Sequence, residues 1–253
     1  MNIAYAFLTR IPNYTLINFA ECIYDKHKID IYIFIDDENF VIPSSKNINY
    51  VKINSNECRK NNMCCAQETV FANTQGTEKT MVHSWDKSLY YFTHVNTTYE
   101  FVWFIEDDVF IPSDDTILNI DIKYKEHDLL VANNNISKDF EVEKGIWHWK
   151  YAIQIFGFPS YCSMTCACRM SHNLLMKIKE FALQNGFIPF HEFSFNTIAM
   201  NSALSVQCPQ ELSTVKYDTR LTLEDIKNNK NNLFHPIKAY DQHEMIREFL
   251  RGI

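Results

Sequence analysis

One stretch constrains this chain more than any other: FVWFIEDDVFI, residues 101–111. Apolar residues Phe101 to Ile105 run into Glu106, Asp107 and Asp108, and a second apolar run, Val109 to Ile111, follows at once. Two segments that gain by leaving water thus flank three like charges that lose by it. A strand resolves part of the conflict, because its side chains alternate: Glu106 and Asp108 point one way and Asp107 the other. An acid-x-acid pair at the carboxyl end of a buried strand faces the crevice where open α/β sheets bind ligands. Two close carboxylates repel unless something neutralises them. A divalent cation with a preference for hard oxygen ligands, Mn²⁺ or Mg²⁺, does so and can hold a diphosphate as well. The alternative is a solvated acidic turn in which Asp107 and Asp108 cap the next element, and the apolar runs on both sides count against it.

The rest of the chain supplies partners for such a strand. Strand-like runs at 2–8, 30–35, 48–53, 101–105 and 128–132 alternate with helical patterns at 14–26, 78–95, 171–185, 193–204 and 242–251, which predicts an α/β fold. Ser171 and Gly186 bound one helix as N-cap and closing residue. In the helix over 78–95, Met81, Trp85, Leu89 and Phe92 share a face. At 253 residues and 46% hydrophobic, the chain suits one well-buried domain.

Charge and targeting signals narrow the class. A net charge of −7 argues against a nucleic-acid partner. It does not exclude an anionic substrate, because a metal supplies local positive charge. No stretch reaches the roughly 20 apolar residues of a transmembrane helix. The start, MNIAYAFLTRIPNY, lacks a basic region and a long apolar core, so it reads as a first strand and the protein is expected in the cytoplasm. The eight cysteines form no C-x-x-C pair and read as reduced thiols, with disulfides within the 58–65 and 162–168 clusters as the alternative.

WFIEDDVFI resembles the Asp-x-Asp region of GT-A-fold glycosyltransferases, whose carboxylates hold a metal and through it a nucleotide-sugar diphosphate. The resemblance implies a GT-A-like (Rossmann-like) mixed sheet flanked by helices, with Glu106 and Asp108 as metal ligands. Asp108 is the firmer of the two, since Glu106 stands where many members have Asp. In such a fold IAYAFLTR and IYIFIDD are the first two strands, which brings Thr9, Arg10, Asp36 and Asp37 near the nucleotide; alternatively Asp36 and Asp37 open a loop. Trp85 and Lys87, from the helix before the motif, are nucleotide contacts or else core and surface residues. FIPFHEFSFNTIA resembles the acceptor segment of inverting branching N-acetylglucosaminyltransferases. Glu192 and Thr197 keep its spacing, and His191 replaces its Asp. Glu192 then takes the proton of an acceptor hydroxyl, or else it complements a helix dipole. Those branching enzymes lack the Asp-x-Asp acids, so the likeness is to the general scheme. The late His235 would be a further metal ligand, with Asp107 and Lys238 toward the diphosphate.

Trp147 and Trp149, two apart, would share a face of a strand and line an acceptor pocket with Tyr161 and His191, or pack in the core. The reading is a single domain over 1–253, with a nucleotide-binding part at 1–110 and an acceptor-binding part at 111–253. It is expected to transfer a sugar from a UDP-sugar or related donor to a glycan, lipid or protein acceptor, with inversion. A sugar nucleotidyltransferase is the rival enzyme, but the first strand opens no glycine-rich loop. A non-catalytic glycan- or nucleotide-binding module on the same fold is the other rival.

Overall fold

The computed structural model describes residues 2–64, 82–138, 149–217 and 220–252. The strands are β1 (Ile3–Thr9), β2 (Asp30–Ile35), β3 (Ile48–Val51), β4 (Phe101–Glu106), β5 (Leu129–Leu130), β6 (Asn135–Ile136), β7 (Tyr161–Cys162), β8 (Ala167–Ser171) and β9 (Val206–Gln207). The helices are α1 (Tyr14–His27), α2 (Ser55–Lys60), α3 (Ser84–Tyr90), α4 (Thr116–Lys123), α5 (Trp149–Phe156), α6 (His172–Asn185), α7 (His191–Asn201), α8 (Leu223–Asn228) and α9 (Tyr240–Arg251). Seven strands form one sheet in the order β3-β2-β1-β4-β8-β5-β9, and β6 pairs with β7 apart from it. Only β8 runs against its neighbours within that sheet. This is the expected α/β arrangement, a mixed sheet flanked by helices.

Every residue of β1 is buried, because both faces of the sheet are covered. Ala4, Ala6 and Leu8 pack with Trp85 and Leu89 of α3 and with the apolar faces of α6 and α7. Ile3, Tyr5 and Phe7 pack with Phe19 and Ile23 of α1 and Ile117 and Ile120 of α4. In β4, Val102 to Ile105 are wholly buried. Burial of four such side chains contributes roughly 6–12 kcal/mol. That fixes the strand, and with it the place of the acids at its end.

Local signals set several boundaries as expected. Ser171 accepts from the Leu174 amide to cap α6, and Gly186 closes it with φ at 82°. Other expectations need correction. Residues 78–81 of the helix over 78–95 lie outside the described residues; the described part is α3 followed by a π turn, Tyr91–Val95. The strand over 128–132 shortens to β5, and the helix over 193–204 begins two residues earlier, at His191. Trp149 opens helix α5, so the shared strand face of Trp147 and Trp149 does not form; Trp147 lies outside the described residues. The 162–168 cysteine cluster contributes to β7 and β8, and the described cysteines are free thiols. Among the described residues, no helix is long and apolar enough to cross a membrane.

Candidate active site

The carboxyl edge of the sheet gathers the acids. Thr9 lies opposite Ile35 in β2, and Leu8 lies opposite Glu106 in β4. The next residues leave the sheet tied together: the Asp36 amide donates to Thr9 O at 3.1 Å and the Asp107 amide to Leu8 O at 3.0 Å. Asp107 turns toward β1, where the Thr9 hydroxyl donates to it, and it also accepts from Tyr240. Glu106 and Asp108 turn elsewhere. Glu106 Oε1 accepts from the Trp85 indole at 2.7 Å, and Asp108 Oδ1 lies 3.3 Å from His235 Nε2.

His235 reaches this edge through long-range pairing. Phe110 and Phe234 exchange backbone bonds of 2.8 and 3.0 Å, and the Ile237 amide donates to Asp108 O at 2.8 Å. His235 Nδ1 lies 2.6 Å from Lys216 O, so it carries the proton donated there and Nε2 faces Asp108. Burial opposes protonation of His235, but the bond to Asp108 and that carboxylate's charge more than offset it, and the pKa rises. Cys166 completes the group. Its carbonyl accepts from the Glu106 amide at 2.8 Å, and its thiol is hydrogen-bonded to the Glu106 carboxylate. Ligand atoms of Glu106, Cys166 and His235 lie within 4.8 Å of one another. Burial pushes the Glu106 carboxyl up, the Trp85 bond pulls it back, and Asp108 raises it again.

Glu192 sits in the first turn of α7. Its Oε2 is buried and has no hydrogen-bond partner. Burial, with a contribution from the Glu106 charge, pushes the carboxyl up to about 7. Among the described residues, no lysine or arginine forms an ion pair with Glu106, Asp107, Asp108 or Glu192.

The other singled-out residues surround this edge at different depths. Lys87 is buried rather than on the surface: Nζ donates to Asp36 O at 2.9 Å and Ile35 O at 3.3 Å, and lies 3.8 Å from Asp36 Oδ1. Burial pushes Asp36 up to about 6, against the pull of Lys87 and His83. Asp37 accepts from the Asn39 amide at 2.8 Å and opens a turn, while Arg10 and Lys238 are exposed. Trp85 stacks on Phe104 with ring centroids 5.5 Å apart. His191 is buried between Trp85 (5.1 Å) and Phe195 (5.2 Å), where burial holds its pKa down at about 3. Trp149 packs with Phe193 and Cys162 and lines a cleft of about 530 Å³ with Asn133, Asn134, Lys138 and Ser163. The Ser163 amide donates to Glu192 O at 2.7 Å, which sets that cleft next to Glu192. Thr197 Oγ1 accepts from Tyr161 N at 2.9 Å and donates to Tyr161 O at 3.0 Å, fastening β7 to α7.

Cys166 and Tyr240 are residues of this edge that the sequence did not single out. Nothing local marks either. Cys166 arrives through the antiparallel pairing of β8 with β4, and Tyr240 opens α9 far along the chain.

No protein-family model matches the chain, and no curated protein matches it. Among solved structures, the chain is similar to galactosyltransferase LgtC in complex with donor and acceptor sugar analogs, at 13% identity over 100% of this chain and 97% of that one, with a TM-score of 0.45. An active-site mutant of LgtC matches at 12% identity over 97% of this chain and 95% of that one, with a TM-score of 0.44. At these values the likeness concerns the course of the chain, and no residue role is taken from it.

Proposed function

We propose that this chain is a metal-dependent glycosyltransferase that moves a sugar from a UDP-sugar, or a related nucleotide sugar, to an acceptor hydroxyl with inversion. One observation carries the reading. At the carboxyl edge of a buried strand, the His235 imidazole lies within 4.8 Å of a Glu106 carboxylate oxygen and 3.3 Å from Asp108 Oδ1, with no lysine or arginine paired to either acid among the described residues. Two carboxylate oxygens and an imidazole nitrogen fit Mn²⁺ well, and Mg²⁺ less well because it prefers oxygen throughout. Glu106, Asp108 and His235 would hold the ion. When bound, it supplies positive charge against the departing nucleoside diphosphate.

The chain's own groups divide the remaining work. Thr9, Arg10, Asp36 and Asp37 line the ends of β1 and β2 on the nucleotide side, within the 1–110 part. Trp85 and Lys87 support that edge from beneath: one orients Glu106, the other ties down the last carbonyls of β2. Asp107 is held by Thr9, and exposed Lys238 would meet a phosphate. On the 111–253 side, Glu192 has the attributes of a general base. Its carboxyl is buried, one oxygen is unpartnered, and its pKa near 7 makes it a better proton acceptor than an exposed glutamate. The adjoining cleft lined by Trp149 would receive a glycan, lipid or protein acceptor, with Tyr161 and His191 as further contacts on that side.

A panel of nucleotide sugars with Mn²⁺, read by donor hydrolysis and thermal stabilisation, tests the proposal. A preference for one UDP-sugar that disappears with EDTA is expected. No response to any donor, with or without acceptors, would favour a binding module.

A further inference from the structure

The metal reading accounts for Glu106, Asp108 and His235 and leaves Cys166 over. Its placement is specific. Backbone pairing sets the residue before β8 beside the last residue of β4, and the Cys166 side chain is buried there. Its thiol is hydrogen-bonded to the Glu106 carboxylate, and Sγ lies within 4.8 Å of donor atoms of both Glu106 and His235. Around a tetrahedral ion with bonds of about 2.0–2.3 Å, ligand atoms stand roughly 3.4–3.8 Å apart. The trio therefore needs to contract by up to about 1.5 Å at its widest, within reach of side-chain rotations.

We propose that Cys166 is a further ligand of this centre, making it a carboxylate–thiolate–imidazole site for a divalent ion of borderline softness such as Zn²⁺. The inference rests on the metal reading above and adds to it a choice between ions. On binding, the S–H bond breaks, an S–metal bond forms, and the proton leaves to the solvent. Mn²⁺ and Mg²⁺ favour oxygen donors and leave Cys166 as a thiol on Glu106. Zn²⁺ accepts sulfur, nitrogen and oxygen together, and it stands above Mn²⁺ in affinity for a given set of donors. Were Asp108, now 3.3 Å from His235 Nε2, to swing in as fourth ligand, the chain alone would complete a tetrahedral zinc site with no open position. No position would remain for a diphosphate. The same residues would then hold Mn²⁺ loosely and open, and Zn²⁺ tightly and shut.

Co²⁺ reads the distinction without any turnover. Titrated into the full chain, Co²⁺ is expected to give a near-ultraviolet sulfur-to-metal charge-transfer band and intense visible bands of tetrahedral geometry. Cys166→Ser should abolish the charge-transfer band, while Cys22→Ser and Cys208→Ser, at exposed thiols, should leave it. In Cys166→Ser, Zn²⁺ should compete against Mn²⁺ at least about tenfold less well, with Mn²⁺ binding, followed by electron paramagnetic resonance, little changed. Cadmium NMR of the unaltered chain checks for one sulfur ligand even if the variant does not fold. A weak octahedral Co²⁺ spectrum without the band, or a band that survives in Cys166→Ser, would overturn the inference while the Mn²⁺ reading stands. Failure of Mn²⁺ and Co²⁺ alike to bind would overturn both.

Discussion

Two buried carboxylate sites on the same sheet are treated in opposite ways. Asp121 of α4 lies over a row of three residues in register across three strands, Tyr5 of β1, Trp103 of β4 and Arg169 of β8. All three donate to it: the tyrosine hydroxyl at 3.1 Å, the indole at 2.8 Å and the guanidinium at 3.1 Å. Arg169 also donates to Tyr124 O and His127 O at 2.8 Å each. At the carboxyl edge, Glu106, Asp107, Asp108 and Glu192 share two hydroxyls, one indole, one thiol and one imidazole, and Glu192 Oε2 has no partner. Burial pushes carboxyls up at both places, Asp121 to about 6 and Glu192 to about 7. What differs is the compensation. Where an acid serves the fold, the chain brings an arginine 48 positions away to meet it. At the carboxyl edge, no lysine or arginine pairs with the acids among the described residues, which is the arrangement a ligand-borne charge would complete.

The sharpest way to break this comparison is to exchange the outcomes. Glu192→Gln keeps the shape and removes the base. Transfer is expected to fall by about 10²–10⁴, with the unfolding midpoint unchanged or raised. Asp121→Asn should do the reverse. It strands Arg169 in the core, which costs about 3–5 kcal/mol of stability, while the protein that stays folded keeps its turnover number. Urea unfolding and initial rates on both variants decide the matter. If Glu192→Gln destabilises as much as Asp121→Asn, the edge acid is a structural one and its assigned role fails.

The two sites also differ in how far the sequence revealed them. The edge was legible because its conflict is local: apolar runs on both sides of Glu106–Asp108 can be read within eleven residues. Thr9 and Asp36 come through the family resemblance, which makes IAYAFLTR and IYIFIDD the first two strands; the structure does form β1 and β2 there. The Asp121 network was not legible, and β8 was missed with it. Arg169 in CACRMS looks like a break in an apolar run until α4 presents a carboxylate to it. Cys166 was hidden for the same reason, since only the β4–β8 pairing gives it a neighbour. Lys87 had no local sign of burial, because its acceptors are carbonyls at the end of β2, more than fifty positions away. Non-local pairing carries what a window along the chain does not contain.

A pH series sharpens the comparison further. Glu192 titrates near 7 in the folded chain against an ordinary value of 4.5. The folded state therefore holds a proton that the unfolded state has released between these values. Its contribution to stability is fully present below about 4.5, falls as pH rises, and is gone above about 7, a loss on the order of 3 kcal/mol. Asp36, near 6 when folded, adds to the same slope. In EDTA, Glu192→Gln should flatten the decline and leave the part due to Asp36 and to Asp121, also pushed up to about 6. A decline as steep as in the unaltered chain would show that the Glu192 carboxyl is not desolvated.

The smallest expected effect discriminates best, because it asks what supplies the missing charge. Mn²⁺ at 100 times its dissociation constant should raise the unfolding free energy by about 2.7 kcal/mol. Glu106→Gln keeps an acceptor for the Trp85 indole and removes one negative charge, so it should fold normally in EDTA and lose most of that gain. Asp121→Asn, weakened as it is, should keep the gain in full, since its defect lies among Tyr5, Trp103 and Arg169 and away from the edge. Thermal melts of the two variants with and without Mn²⁺ make the measurement. Equal stabilisation of both would mean that the ion binds somewhere other than the acids of β4. That no lysine or arginine pairs with these acids among the described residues would then need a different explanation, in which a cationic partner rather than a metal meets those carboxylates.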